Sequence, residues 1–172
     1  RALQDYAPTL VAEAEKWIAN WQDGQEVDIH REMLSLGVTL AARSLLNADV
    51  SDNLPKITQS VGWIMDEITA RYSRPMLIPD SVPLPGHRRY LKGIKALDEL
   101  IYSIIADQRE GRAEPRGLIA QLMGARDENG QPMSDLQLRD AICNFLMAGY
   151  ESTAITMTWG LDLLGRNREI QN

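Results

Sequence analysis

The stretch Phe145-Leu146-Met147-Ala148-Gly149-Tyr150-Glu151-Ser152-Thr153-Ala154 decides how this chain reads. It sits in the middle of a helical pattern over about 134–165 that is mostly apolar, as a helix buried in a domain should be. Three features break that pattern. Gly149 costs roughly 1 kcal/mol against alanine inside a helix. Ser152 and Thr153 can turn their hydroxyls onto the carbonyls one turn back, which bends helices. Glu151 puts a carboxylate where a core favours an aliphatic group. Costs concentrated at one point of a central helix predict a site. Ala148 and Gly149 leave the backbone bare for something flat, and Ser152 stands one turn beyond Ala148 on nearly the same face. An acid beside hydroxyls can pass protons through bound water. If the helix opens at Gly149, the gap would hold water or a small ligand. The competing reading of the same spacing is a glycine crossing point with a solvent-facing Glu151.

Outward from this stretch the chain reads as a succession of helices. Upstream of it, Asn129-Gly130 is a two-residue hairpin signal within 127–133, between flanks too polar for a long strand. Ser134 or Asp135 then caps the central helix. The first helix runs from Leu3 or Pro8 to Trp21, with Leu10, Ala14, Trp17 and Trp21 on one face. Asp28 caps the second, whose apolar stripe is Met33, Leu36, Leu40 and Leu45 and which ends near Asn47-Ala48-Asp49. A third spans about Leu54 to Tyr72, with Ile57, Val61, Ile64 and Ile68 inward. Pro75, Pro79, Pro83 and Pro85 forbid helix in the turn that follows, and the apolar residues between them predict a packed turn. A fourth helix covers about Arg88 to Glu110, with Leu91, Ile94, Leu97, Ile101 and Ile105 inside. Glu114-Pro115-Arg116 opens a short fifth helix ending near Met123. No internal repeat or linker divides the chain, so residues 1–172 read as a single helical domain.

Composition narrows the function. The 172 residues are 44% apolar with one phenylalanine, which suits an aliphatic helical core. A net charge of −6 argues against a general affinity for nucleic acid or anionic lipid. The lone Cys143 excludes an intrachain disulfide framework and suits a reducing, cytoplasmic setting. The longest apolar run, around Ile142 to Tyr150, is far shorter than the ~20 residues of a spanning helix. His30 and His87 have no neighbours at metal-ligand spacing, so solvated or capping roles are expected of both. The His87-Arg88-Arg89 cluster reads as a solvated helix start. Cys143, two turns before Ser152, reads as a small buried hydrophobe.

Ala148-Gly149-Tyr150-Glu151-Ser152-Thr153 resembles the oxygen-binding motif of the central helix of cytochromes P450, usually written Ala/Gly-Gly-x-Asp/Glu-Thr-Thr/Ser. The flanks match as well. Asp127-Glu128-Asn129-Gly130-Gln131-Pro132-Met133-Ser134-Asp135 resembles the hairpin and cap that precede that helix. Thr158-Trp159-Gly160-Leu161-Asp162-Leu163-Leu164 and Arg166-Asn167-Arg168-Glu169-Ile170-Gln171 resemble its tail and the start of the next. Two departures stand out: Ser152 where threonine is usual, which keeps the hydroxyl but frees its rotation, and Tyr150 where histidine is frequent.

The resemblance implies an all-α, orthogonal multi-helix core of the soluble bacterial type, of which this chain would be an internal part. It implies haem b, dioxygen, an apolar small-molecule substrate, and electrons from NAD(P)H through a reductase or ferredoxin. Glu151 and Ser152 would deliver protons to bound dioxygen, with Thr153 supporting them. Ala148, Gly149 and Ser152 would face the haem and oxygen pocket, and Asn144, Met147 and Ala148 the substrate. The third and fourth helices with their proline-rich turn would form the lid over the substrate channel. In this family a cysteine thiolate holds the iron. The family's glycine- and phenylalanine-rich cysteine loop and its Glu-x-x-Arg motif are not in these 172 residues, and Cys143 lies in the wrong motif, so the chain alone is expected to be inactive. The competing class is a non-enzymatic helical module for ligand binding or dimerisation, in which apolar faces left open would drive self-association.

Overall fold

The computed structural model describes residues 2–76, 78–82, 84–113 and 117–171. They form seven α-helices: α1 (Ala2–Ile18), α2 (Ile29–Leu46), α3 (Leu54–Ser73), α4 (Pro85–Arg109), α5 (Gly117–Gly124), α6 (Asp135–Arg166) and α7 (Arg168–Gln171). A single turn of 3₁₀ helix, Ser51–Asn53, leads into α3. Among the described residues there is no strand; the expected hairpin is one antiparallel bridge between Arg126 and Pro132. The Asn129-Gly130 turn does form, with Gly130 at φ 76° and the Asp127 carboxylate accepting from the Asn129 and Gln131 amides. The polar flanks give it nothing to extend.

Helix ends follow local chemistry. The Asp28 carboxylate accepts from the Arg31 amide at 3.1 Å and starts α2. Asn47 ends it in the left-handed conformation at φ 50°, which a short polar side chain tolerates better than an aliphatic one. Ser134 and Gln137 close a reciprocal capping box at the start of α6, satisfying two otherwise unpaired amides.

Two antiparallel pairings build the body. α6 lies against α2, with Leu46 beside Ile142 at one end and Leu36 beside Ala154 at the other. Between them the backbones nearly touch: a β-carbon on Gly37 would stand 2.8 Å from the Tyr150 carbonyl oxygen. The α3–α4 pair closes the same way, where a β-carbon on Gly93 would stand 2.7 Å from the Ser60 carbonyl oxygen. Val38, Ala41, Ile57, Val61, Ile64, Leu97, Leu146 and Tyr150 join the two pairs in one apolar cluster. A second cluster (Ile101, Ile104, Ile105, Ile119, Leu138, Ile142) seats α5, and a third, with Met33 and Leu36, receives Trp17 and Trp21.

Several expectations are corrected. Pro8 lies inside α1, within its first two turns, and α1 ends at Ile18, before Trp21. α4 begins at Pro85 rather than Arg88, because proline suits the first turn, where no backbone donor is needed. Leu91, expected inside, is 47% exposed. The apolar packing expected of the turn between α3 and α4 is partial among the described residues: Ile78 and Leu84 are half-buried, whereas Met76 and Val82 are exposed. His87, expected to be solvated, is buried in a polar cluster with Glu67 and Arg74. The expected start of α5 at Glu114-Pro115-Arg116, and Leu77 and Pro83 of the turn, lie outside the described residues.

Candidate active-site face of the central helix

α6 has two faces of different character. Leu138, Ile142, Leu146, Tyr150 and Ala154 recur every four residues and are its buried residues, the spacing that keeps one side of a helix in contact with a neighbour. The rest of the helix is far less covered than its apolar composition predicts. Phe145, Ile155, Trp159, Leu163 and Leu164 are all exposed. The burial expected of this helix is therefore confined to one stripe among the described residues.

The predicted site residues fall mainly on the open side. Asn144, Ala148, Gly149, Ser152 and Thr153 are exposed, while Met147 and Glu151 are half-buried on the flank that meets α3. The condition for a gap at Gly149 is not met: the helix runs unbroken through the motif. The two hydroxyls do turn back onto it: Ser152 Oγ donates to the Ala148 carbonyl at 3.3 Å and Thr153 Oγ1 to the Gly149 carbonyl at 2.9 Å. Thr156 and Thr158 repeat the same bond at 2.8 Å each. The exposed Ser152, Thr153 and Thr156 hydroxyls keep lone pairs for a further partner on the open side, whereas Thr158 is half-buried.

Gly149 is not a crossing point. A β-carbon there would meet only Leu45 Cδ1, at 3.7 Å. The glycine at the crossing is Gly37 on the partner helix. Sequence reading missed it because a glycine inside a helix shows its purpose only once the facing backbone is known. The bare surface at Ala148 and Gly149 thus lies outside the packing, bordered by Phe145 and Ser152. A flat group could rest there without displacing any side chain. Bare backbone beside hydroxyls is the kind of surface that one side of a haem and oxygen pocket would require.

Glu151 borders a cleft of about 190 Å³ between α2, α3 and α6, with His30, Thr58, Asp66 and Tyr150 among its other walls. Glu151 thus belongs to this cleft and is next in sequence to Ser152 on the open face. Tyr150, next to it, is 3% exposed, and burial together with the Glu151 charge pushes its hydroxyl well above the usual phenol range. Cys143 is on the other side of the helix from Ala148 and Ser152, packed with the cluster of Ile101 and Ile142. Burial pushes its thiol up, the opposite of what a metal-binding thiolate requires. Among the described residues no cluster of His, Cys, Asp or Glu could hold a metal ion, and no helix is long and apolar enough to cross a membrane.

Comparison with known proteins decides what this helix belongs to. The family profile for Cytochrome P450 matches residues 2–172. The chain belongs to the cytochrome P450 family. It is 28% identical over 172 residues to pentalenene oxygenase of Streptomyces avermitilis, covering 98% of this chain and 38% of that protein. It is 30% identical over 159 residues to putative cytochrome P450 139 of Mycobacterium tuberculosis, covering 92% and 37%. With cyclooctat-9-en-7-ol 5-monooxygenase of Streptomyces melanosporofaciens it shares 27% over 168 residues, 96% and 37% of the two chains. Among solved structures, the haem domain of a cytochrome P450DA mutant superimposes with a TM-score of 0.78 at 24% identity, covering 99% of this chain and 38% of that one. The all-α fold is thus that of P450 haem domains, and the chain spans under two fifths of the length of these relatives.

Proposed function

We propose that this P450 chain supplies the distal, oxygen-handling wall of a haem-thiolate monooxygenase acting on an apolar small molecule. The observation that carries this reading is the open face of α6, where two back-bonded hydroxyls and a half-buried carboxylate border a bare Ala148–Gly149 backbone. Thiolate-held haem iron, when bound, supplies the activation of dioxygen, drawing electrons that originate in NAD(P)H through a reductase or ferredoxin. The chain's own residues do the rest of what is proposed here. Ala148 and Gly149 leave room against the backbone for the cofactor and oxygen. Ser152 Oγ, held by its bond to the Ala148 carbonyl, offers its lone pairs to a water or an oxygen species and passes a proton on. Glu151 exchanges protons between the cleft at its back and Ser152, and Thr153 fixes the turn that carries both. Asn144, Met147 and Ala148 form the substrate-facing border. The setting is cytoplasmic, in keeping with the unpaired Cys143.

Replacing Ser152 with alanine in the haem-containing enzyme tests the proton role. The expected outcome is more hydrogen peroxide released per product formed; unchanged coupling removes Ser152 from the path. The 172-residue chain mixed with haem should not give the reduced-CO spectrum of a thiolate-ligated iron, because Cys143 faces away from the site.

A second reading rests on the exposed apolar side chains along α6, Phe145, Ile155, Trp159 and Leu163. A surface of this kind is covered in use. In the first reading other parts of a P450 domain cover it. In the second the 172-residue chain associates with itself through it and serves as a binding or dimerisation module. Sedimentation of the 172-residue chain across a concentration series separates them, since a stable monomer counts against the second.

A further inference from the structure

The α3–α4 pair has two kinds of attachment along its length. Its middle is packed backbone to backbone at Gly93 and lined by Ile57, Val61, Ile64 and Leu97. Its far end, where α3 passes into α4, has looser apolar cover among the described residues: Tyr72 is 88% exposed, Met76 and Val82 are exposed too, and Ile78, Leu84 and Tyr90 are only half-buried. What occupies the interior there is one carboxylate. Glu67 is 3% exposed and accepts from Arg71 Nε at 3.2 Å and from Arg74 Nη1 at 2.8 Å, both on Oε1, and from Arg74 Nη2 at 3.4 Å on Oε2. His87 Nε2, from the first turn of α4, lies 3.0 Å from Glu67 Oε1 and 3.1 Å from Arg74 Nη1. The His87 ring is itself anchored to the turn, with Nδ1 3.0 Å from the Val82 carbonyl. A carbonyl only accepts, so Nδ1 carries the hydrogen. In the neutral ring Nε2 then accepts from Arg74, and in the charged ring it donates to Glu67.

The remaining charged and titratable neighbours complete the cluster. Arg71 also pairs with Asp80 in the turn and lies over the Tyr90 ring of α4, 4.6 Å from its centroid. The second oxygen of Glu67 is pressed against α4 itself, since a β-carbon on Gly86 would stand 2.5 Å from it. One carboxylate thus touches the end of α3, the turn and the first turn of α4.

We infer that Glu67 is a charge-operated clasp: ionised, it ties the start of α4 and the turn to the end of α3, and neutralised, it lets that end open while the rest of the body stays folded. The physical ground is asymmetric. A buried carboxylate that loses its charge takes from Arg74 the ion pair it makes here and leaves Arg71 with Asp80 alone. The described apolar side chains around the turn are exposed or only half-buried. The α2–α6 pairing, by contrast, contains no part of the cluster. The clasp does not depend on the oxygenase reading.

Amide hydrogen exchange on the 172-residue chain at neutral pH tests it. Glu67→Gln should speed exchange at Val82, Leu84 and His87 by about tenfold or more, with Ile142 and Leu146 in α6 unchanged. A uniform rise at all five, or no change at the first three, overturns the clasp. Gly86→Ala provides an independent check that leaves every charge in place. Its methyl group must displace the Glu67 carboxylate, so the same three amides should again exchange faster although alanine is the better helix former. Unchanged exchange in that variant, with the Glu67 carboxylate displaced from Arg74, also overturns the inference. Should Glu67→Gln not fold, the Gly86→Ala result decides alone.

Discussion

The crossing of α2 with α6 and the far end of the α3–α4 pair are both buried, and they are held by opposite means. At the crossing the contact is backbone against backbone, and the surrounding groups are Val38, Leu146 and Tyr150. At the far end a carboxylate, two guanidinium groups and an imidazole fill the interior. Apolar contact is non-directional and survives small shifts, but it tolerates no added volume where it is already closed. A buried ionic cluster is the reverse: it tolerates little change in charge. The two regions should therefore fail under different insults.

Volume should break the crossing first. Gly37→Ala places a methyl group 2.8 Å from the Tyr150 carbonyl oxygen, and neither backbone can step aside without parting the helices. A loss of about 3 kcal/mol is expected, at the upper end of overpacking costs. Urea unfolding measures it, and a loss under about 1 kcal/mol would mean that the helices slide apart cheaply. The same change at Gly149 should do the opposite. With nothing nearer than Leu45 at 3.7 Å, alanine there should gain up to about 1 kcal/mol of helix stability. Lost stability at Gly149 would erase the distinction between a packed and an open glycine on this pairing. Ser134→Ala, which opens the capping box, should cost about 1 kcal/mol and fray only the start of α6.

Acidity and alkalinity sharpen the contrast further. Burial of Glu67 pushes its carboxyl up, but hydrogen bonds from Arg74 and Arg71 outweigh this and hold it below its usual value of 4.5. A depressed folded value means stability that is present above the unfolded value and is lost as pH falls through the folded one. Acid should therefore loosen the α3–α4 end. Tyr150 has the opposite sign. Its folded value is raised above 10.0, so its contribution is intact below the unfolded value and is lost as pH rises through the folded one. Alkali should loosen the crossing. Fluorescence-monitored unfolding across the two pH limits checks this, and Tyr150→Phe should remove the alkaline loss while leaving the acid one. A smaller acid effect is expected at Asp49, lowered to about 2 by its bonds from Ser51 and by the charge of Arg43. Solvent screens that exposed pair.

How much of this was legible in the chain follows from the range of each interaction. The caps at Asp28 and Ser134 depend on neighbours within three residues, and the sequence pointed to Asp28 for one and to Ser134 or Asp135 for the other. The α6 motif was readable too, with hydroxyls that bond back one turn as their spacing requires. The burial of His87 was not readable. Arg74 is thirteen positions away and Glu67 twenty, and only the closing of α3 on α4 brings them together. The Glu67, Arg71 and Arg74 spacing, one and two helical turns, was the available hint that a carboxylate there had partners. The face of Tyr150 was hidden for a different reason. Periodicity says which residues share a side, but Leu146 and Ala154 are apolar like Phe145 and Ile155, so the stripe chosen by α2 could not be told from its neighbour. For the proposed site the motif was visible and its surroundings were not, since openness depends on what packs nearby.

Gly37 has one more consequence. The height at which the Ala148–Ser152 ledge stands above the body is set on the far side of the same rod, by a position that lacks a carbon. An engineer wishing to raise or lower that ledge without altering its chemistry would begin at this one position of α2, on the packed side of α6.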